Sequence, residues 1–246
     1  MIDFFSKVYI YQLSYFLSLH HIFTMKKYIA ECLWTMILVI FWCWVAVWTW
    51  VDITATALAF WLVIVALAYA IGPISWCHVN PAVSLWVRLN WGLKTKDFWC
   101  YIAAQFIWGI IGAFILGVLL WRDFSVLGAN GLDRVDWNIL IGLLAEIILT
   151  FVFVYAILWV TSKEEYSNIA GIVIWLTLVL VHLLGLWLTG TSVNPARSFW
   201  PALFEGIAAL KVVWIFIVAP LAWWALAAYT FKYLNSESKK KRSLLH

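Results

Sequence analysis

Two copies of one tripeptide, Asn80-Pro81-Ala82 and Asn194-Pro195-Ala196, are the most telling residues in the chain. Asparagine caps a helix N-terminus through its side-chain oxygen. Proline suits the first helical position, where its missing N–H would be unpaired anyway. One copy carries little information, because Asn-Pro commonly opens turns. Two copies, each heading a short apolar stretch, point to a matched pair of helix starts. At such a start the asparagine amide can donate to a small polar solute, and the helix end adds about half an elementary positive charge. Arg197 follows the second copy directly, and a charge in an apolar setting is costly unless it faces a pore or a partner. Glu31 and Glu146 are lone carboxylates inside apolar stretches, with His78 and His182 elsewhere. Carboxylates and histidines together could do acid–base work as an intramembrane enzyme. No HExxH or comparable ligand spacing supports a metal site, and no cofactor is expected. Cys32, Cys43, Cys77 and Cys100 lack CxxC spacing and read as buried thiols.

The elements that must hold these residues are membrane spans. Of 246 residues, 66% are hydrophobic and 11% charged, with a mean hydropathy of +0.95. That balance excludes an ordinary soluble enzyme, a nucleic-acid binder and a disordered chain. Six apolar stretches, near 28–50, 56–75, 98–120, 138–160, 169–188 and 211–233, are long enough to cross a hydrocarbon layer of roughly 30 Å. The connections 78–97 and 189–210 each open with the tripeptide and continue into apolar residues. A helix of about ten residues reaches about 15 Å, half a membrane, so these segments are expected to be re-entrant half-helices.

The chain is also duplicated. Glu31 with Thr35 matches Glu146 with Thr150, and His78-Val79-Asn80-Pro81-Ala82 matches Ser192-Val193-Asn194-Pro195-Ala196. Three spans per repeat force opposite orientations, so this is an inverted repeat whose shared site lies at the membrane midplane. Repeat one covers about 25–120 and repeat two about 138–234. Residues 1–24 form an N-terminal extension, either peripheral or read from a mis-assigned start, since Met25-Lys26-Lys27 resembles a natural beginning. Residues 235–246 form a basic tail, which supplies much of the net charge of +4. Lys26, Lys27, Arg88, Lys94, Lys96, Lys163, Lys232 and the tail mark one side, and Arg122, Arg134 and Lys211 the other. The positive-inside rule therefore puts both termini in the cytoplasm of a multi-pass cell-membrane protein.

From Met25 to about Leu234 the sequence resembles the aquaporin family, and Gly190-Thr191-Ser192-Val193-Asn194-Pro195-Ala196-Arg197-Ser198-Phe199 is close to that family's second signature. The resemblance implies an all-α membrane protein of six transmembrane helices plus two half-helices. It implies a homotetramer in the bilayer that passes water passively and excludes protons. It further implies a selectivity filter of Phe60, His182, Thr191 and Arg197. Pore-lining backbone would come from Trp76, Cys77, His78, Gly190, Thr191 and Ser192, and Glu31 and Glu146 would support the pore loops. Glycerol-conducting relatives typically carry a small residue where His182 stands, and Asp where Ser198 follows the arginine. Both differences favour water, with a glycerol or small-solute facilitator as the alternative.

One feature contradicts a membrane channel of this kind. The chain has 20 Trp against 12 Gly, whereas helix contacts in membranes favour Gly and keep Trp at the interfaces. Trp76 occupies the position of Gly190 in the other repeat, and Trp224 that of Gly109. Trp34, Trp61, Trp76, Trp86, Trp108, Trp200 and Trp223 stand where aquaporins usually show glycine. Only Trp99, Trp137 and Trp214 look natural, which leaves 17 of the 20 tryptophans suspect. The expectation is that these codons are UGA and that the cell reads them as glycine. With tryptophan in place, the half-helices and helix contacts should be overpacked, most of all at Trp76, Trp108, Trp200, Trp223 and Trp224.

Overall fold

The computed structural model describes residues 2–48, 52–90, 92–121 and 124–243, with side chains between 25 and 234. The side chains of 1–24 and of the basic tail, together with Arg122, Trp50 and Trp91, lie outside the described residues.

Among the described residues eight α-helices follow in order: α1 Ile2–Trp48, α2 Ile53–Ser75, α3 Pro81–Asn90, α4 Thr95–Leu119, α5 Ile139–Thr161, α6 Ser167–Gly185, α7 Pro195–Glu205 and α8 Ile207–Ser243. Six segments are long and apolar enough to cross a membrane: Met25–Trp48, Ile53–Ser75, Thr95–Leu119, Ile139–Thr161, Glu164–Gly185 and Ile207–Leu234. They coincide with the six expected spans. The N-terminal extension and the tail are not set off by breaks. The backbone of α1 begins at Ile2, and that of α8 continues to Ser243.

Local sequence sets the helix ends. Asp52 caps α2 by accepting from the Ala55 N–H at 2.9 Å, and Asn138 caps α5 by accepting from Ile141 N–H at 3.1 Å. α3 and α7 are 10 and 11 residues long, too short to span, and each begins with the proline of Asn-Pro-Ala. The packing repeats in pairs. α1 packs on α2 and α4 as α5 packs on α6 and α8. α3 touches α4 and α8 as α7 touches α8 and α4. Each half-helix is thus clasped by the last span of both repeats, which sets α3 and α7 end to end.

Where a half-helix meets a span, side-chain size decides the spacing. A Cβ added to Gly109 of α4 would collide with the Trp200 indole of α7. In the other repeat the equivalent pair is Trp224 of α8 and Trp86 of α3, both buried, with ring centroids 6.1 Å apart. One contact of the duplicated fold therefore sits Trp on Gly and the other Trp on Trp. The backbones cannot be equally close in both.

Candidate pore and selectivity filter

The loops leading into α3 and α7 are copies in backbone as well as sequence. Trp76, Cys77 and Val79 have φ of 69°, 51° and 38°, and Gly190, Thr191 and Val193 have 74°, 46° and 44°. Left-handed backbone is costly for residues with a Cβ, and only position 190 has the residue that adopts it freely. Trp76 also caps α2 in this conformation. It is 68% exposed, so the expected overpacking at Trp76 is absent; the misfit there is one of backbone. Trp137, which the sequence reading sets apart as natural, has a left-handed φ of 58°, as its neighbour Asp136 does at 50°.

Two buried carboxylates hold the loops in this shape. Glu31 Oε1 accepts from Ser75 Oγ at 2.8 Å and His78 N–H at 2.9 Å. Its Oε2 accepts from Val79 N–H at 2.8 Å and Gln105 Nε2 at 2.9 Å. Glu146 Oε1 accepts from Thr189 Oγ1 at 2.6 Å and Ser192 N–H at 2.9 Å, and Oε2 from Val193 N–H at 3.2 Å. All four carboxylate oxygens are therefore occupied by fixed donors, an arrangement that positions backbone rather than shuttles protons.

The half-helices join through their caps. Asn80 Oδ1 accepts from Ala82 N–H at 2.9 Å, while its Nδ2 donates to the Val193 carbonyl at 2.9 Å. Asn194 Oδ1 accepts from Ala196 and Arg197 N–H at 3.1 and 3.3 Å, and its Nδ2 donates to the Val79 carbonyl at 3.0 Å. Each amide thus spends one N–H across the midplane and keeps the second. Both asparagines line a cavity of about 180 Å³ together with Phe60, Trp76, Cys77 and His78. A second cavity of about 640 Å³ lies toward Gly190, Thr189, Gly128 and Arg197. Ser192 lines neither: its hydroxyl donates to the Phe216 carbonyl at 3.2 Å and meets Ser198 Oγ at 2.6 Å. The Ser192 side chain therefore faces α8, away from both cavities.

The four expected filter residues are all buried; Phe60 of α2, His182 of α6 and Arg197 of α7 gather around one side chain, Trp42, while the Thr191 hydroxyl of the second loop lies beside Gly185 of α6. The Phe60 and His182 rings stack at 4.3 Å. His182 Nδ1 lies 2.8 Å from the Leu178 carbonyl; because a carbonyl only accepts, that nitrogen carries the proton and leaves Nε2 for a donor or solute. Arg197 donates through Nη1 to Asn130 Oδ1 and through Nη2 to the Gly128 carbonyl at 3.0 Å. Asn130 is in turn held by Ser198 Oγ at 2.6 Å and donates to the Thr189 carbonyl at 3.0 Å. Ser198 thus serves the Asn130 brace, one layer behind the arginine. Asn130, Gln105 and Trp42 are the residues sequence reasoning passed over. Gln105 carried a signal, a lone amide in an apolar span; Asn130, in an Asn-Gly loop dipeptide, carried none. Trp42 comes within 5.2 Å of the Phe60 ring, centroid to centroid, and the Arg197 guanidinium carbon lies 3.2 Å over its ring. Phe60, His182 and Arg197 therefore surround an indole. Among the described residues no cluster of His, Cys, Asp and Glu could hold a metal.

Six spans, with two half-helices meeting through Asn80 and Asn194, define a membrane channel. The model of the Major intrinsic protein family matches residues 18–231, and the chain belongs to that family, whose members are channels rather than enzymes. It is 37% identical over 219 residues to "Glycerol uptake facilitator protein-like 6" of Lactiplantibacillus plantarum, covering 87% of this chain and 100% of that one. It is 33% identical to "Aquaporin Z" of Bradyrhizobium diazoefficiens, covering 87% and 95%. Against "Aquaporin Z" of Brucella melitensis it is 42% identical, covering 72% and 81%. The solved aquaglyceroporin from Plasmodium falciparum superposes with a TM-score of 0.74 at 18% identity, over 85% of this chain and 95% of that one, a likeness of fold.

Proposed function

We propose that this multi-pass channel is selective for water, works as a homotetramer in the cell membrane and keeps both termini in the cytoplasm. The observation that carries the selectivity is the meeting of Phe60, His182 and Arg197 at one level. An aromatic and an imidazole narrow the passage. The arginine and the free His182 nitrogen replace the hydrogen bonds a water loses on entering, and a three-carbon polyol needs a wider bore. At the midplane the spare N–H groups of Asn80 and Asn194 hold a water oxygen. The positive ends of α3 and α7 raise the energy of any cation there. Lys and Arg near the span ends support the orientation.

The similarity to a protein named a glycerol uptake facilitator favours a second reading, a polyol channel, and His182 separates the two. In a conducting form, His182→Gly is expected to raise glycerol uptake into proteoliposomes on the order of tenfold while water flux changes little. High glycerol uptake before that substitution would favour the polyol reading. Cys77, on the wall of the cavity that holds both asparagines, supplies a further check. Mercuric ion is expected to block water flux in the conducting form, and Cys77→Ser to abolish the block. A Cys77→Ser channel of unchanged mercury sensitivity would place the reactive thiol elsewhere.

A further inference from the structure

We infer that position 42 sets the bore of the filter, and that Trp42 closes it in the chain as written; this rests on the channel reading above. Trp42 is fully buried on α1, the helix that also carries the loop anchor Glu31. Its indole touches one residue from the lining of each cavity, Phe60 from the first and Arg197 from the second, and His182 lies 6.3 Å away. It therefore stands between the two vestibules, at the level of the filter.

Polar atoms around it mark the same spot. Trp42 Nε1, His182 Nε2 and Arg197 Nε are all buried without a hydrogen-bond partner. Buried polar atoms nearly always have one. Two of these three belong to filter residues packed around Trp42 and would be satisfied by a water in the place of the indole. The guanidinium face that would greet a solute is stacked on the ring instead. The duplication agrees: Glu31 and Thr35 match Glu146 and Thr150, which makes Ile157 the counterpart of Trp42, and Ile157 lines the first cavity. The register at position 42 therefore points into the conduction path. Removing the indole frees room for several waters, at about 30 Å³ each.

The test is osmotic shrinkage of phosphatidylcholine–phosphatidylglycerol vesicles containing the unsubstituted chain, Trp42→Gly, Trp42→Ala or Trp44→Gly. Trp44 is partly exposed on the same helix and controls for general loosening of α1; the alanine variant guards against a folding failure specific to glycine. Water permeability is expected to rise on the order of tenfold in both position-42 variants and to stay at the unsubstituted level in Trp44→Gly. An unsubstituted chain as permeable as Trp42→Gly would overturn the inference and leave the water channel standing. Absence of any rise in folded Trp42→Gly and Trp42→Ala would overturn it too. A rise in glycerol flux without water flux would uphold the plug and overturn water selectivity.

Discussion

Glycine at the seventeen suspect tryptophan positions is expected to raise the melting temperature of the detergent-solubilised protein and to switch on conduction. Trp42, Trp61, Trp200 and Trp224 bury indole N–H groups without partners. An unsatisfied buried donor costs about 1–3 kcal/mol, and overpacking a helix contact costs a similar amount. The penalty at Trp224 can be read against its counterpart in the other repeat, Gly109, which lets the α7 indole settle directly on α4. At position 76 the gain is in the backbone, because a residue without a Cβ adopts a φ of 69° freely. Sequencing the gene checks the origin: UGA is expected at these positions, and UGG throughout would mean that the protein carries tryptophan by design. A glycine-substituted chain that melts lower than the written one would contradict the packing argument.

Glu146→Leu is expected to be among the costliest single substitutions. It strands Ser192 N–H, Val193 N–H and the Thr189 hydroxyl inside the membrane, at about 1–3 kcal/mol each. The loop that presents Arg197 would lose its left-handed turns. Glu146→Gln should fall between, since one amide oxygen remains to accept while the NH2 group faces donors. The expected order of melting temperature is Glu above Gln above Leu, with water flux lost in the leucine variant. Equal melting of all three would show that the carboxylate does not hold the loop. Glu31→Leu should behave alike, because Glu31 satisfies the same two backbone positions in the other repeat.

Much of this arrangement is legible in the sequence because membranes leave few alternatives. Backbone at depth must be helical or line a cavity, so six long apolar stretches and two short ones led by Asn-Pro-Ala allow only one kind of assembly. The duplication alone pairs Glu31 with Glu146 and Asn80 with Asn194. What escaped lies where contacts depend on three-dimensional register. Asn130 reaches Arg197 across 67 residues from a loop without helical periodicity. Trp42 belongs to a helix on which every face is apolar, so periodicity cannot say which tryptophan turns inward. The same blindness put Trp76 among the overpacked residues, although its side chain is largely exposed and the misfit lies in its left-handed φ.

Water selectivity is tested most directly by light-scattering measurement of water and glycerol permeability, side by side, in proteoliposomes of the glycine-substituted chain. The account predicts water permeability well above that of empty vesicles and glycerol permeability equal to theirs. Glycerol permeability raised as much as that of water would contradict it.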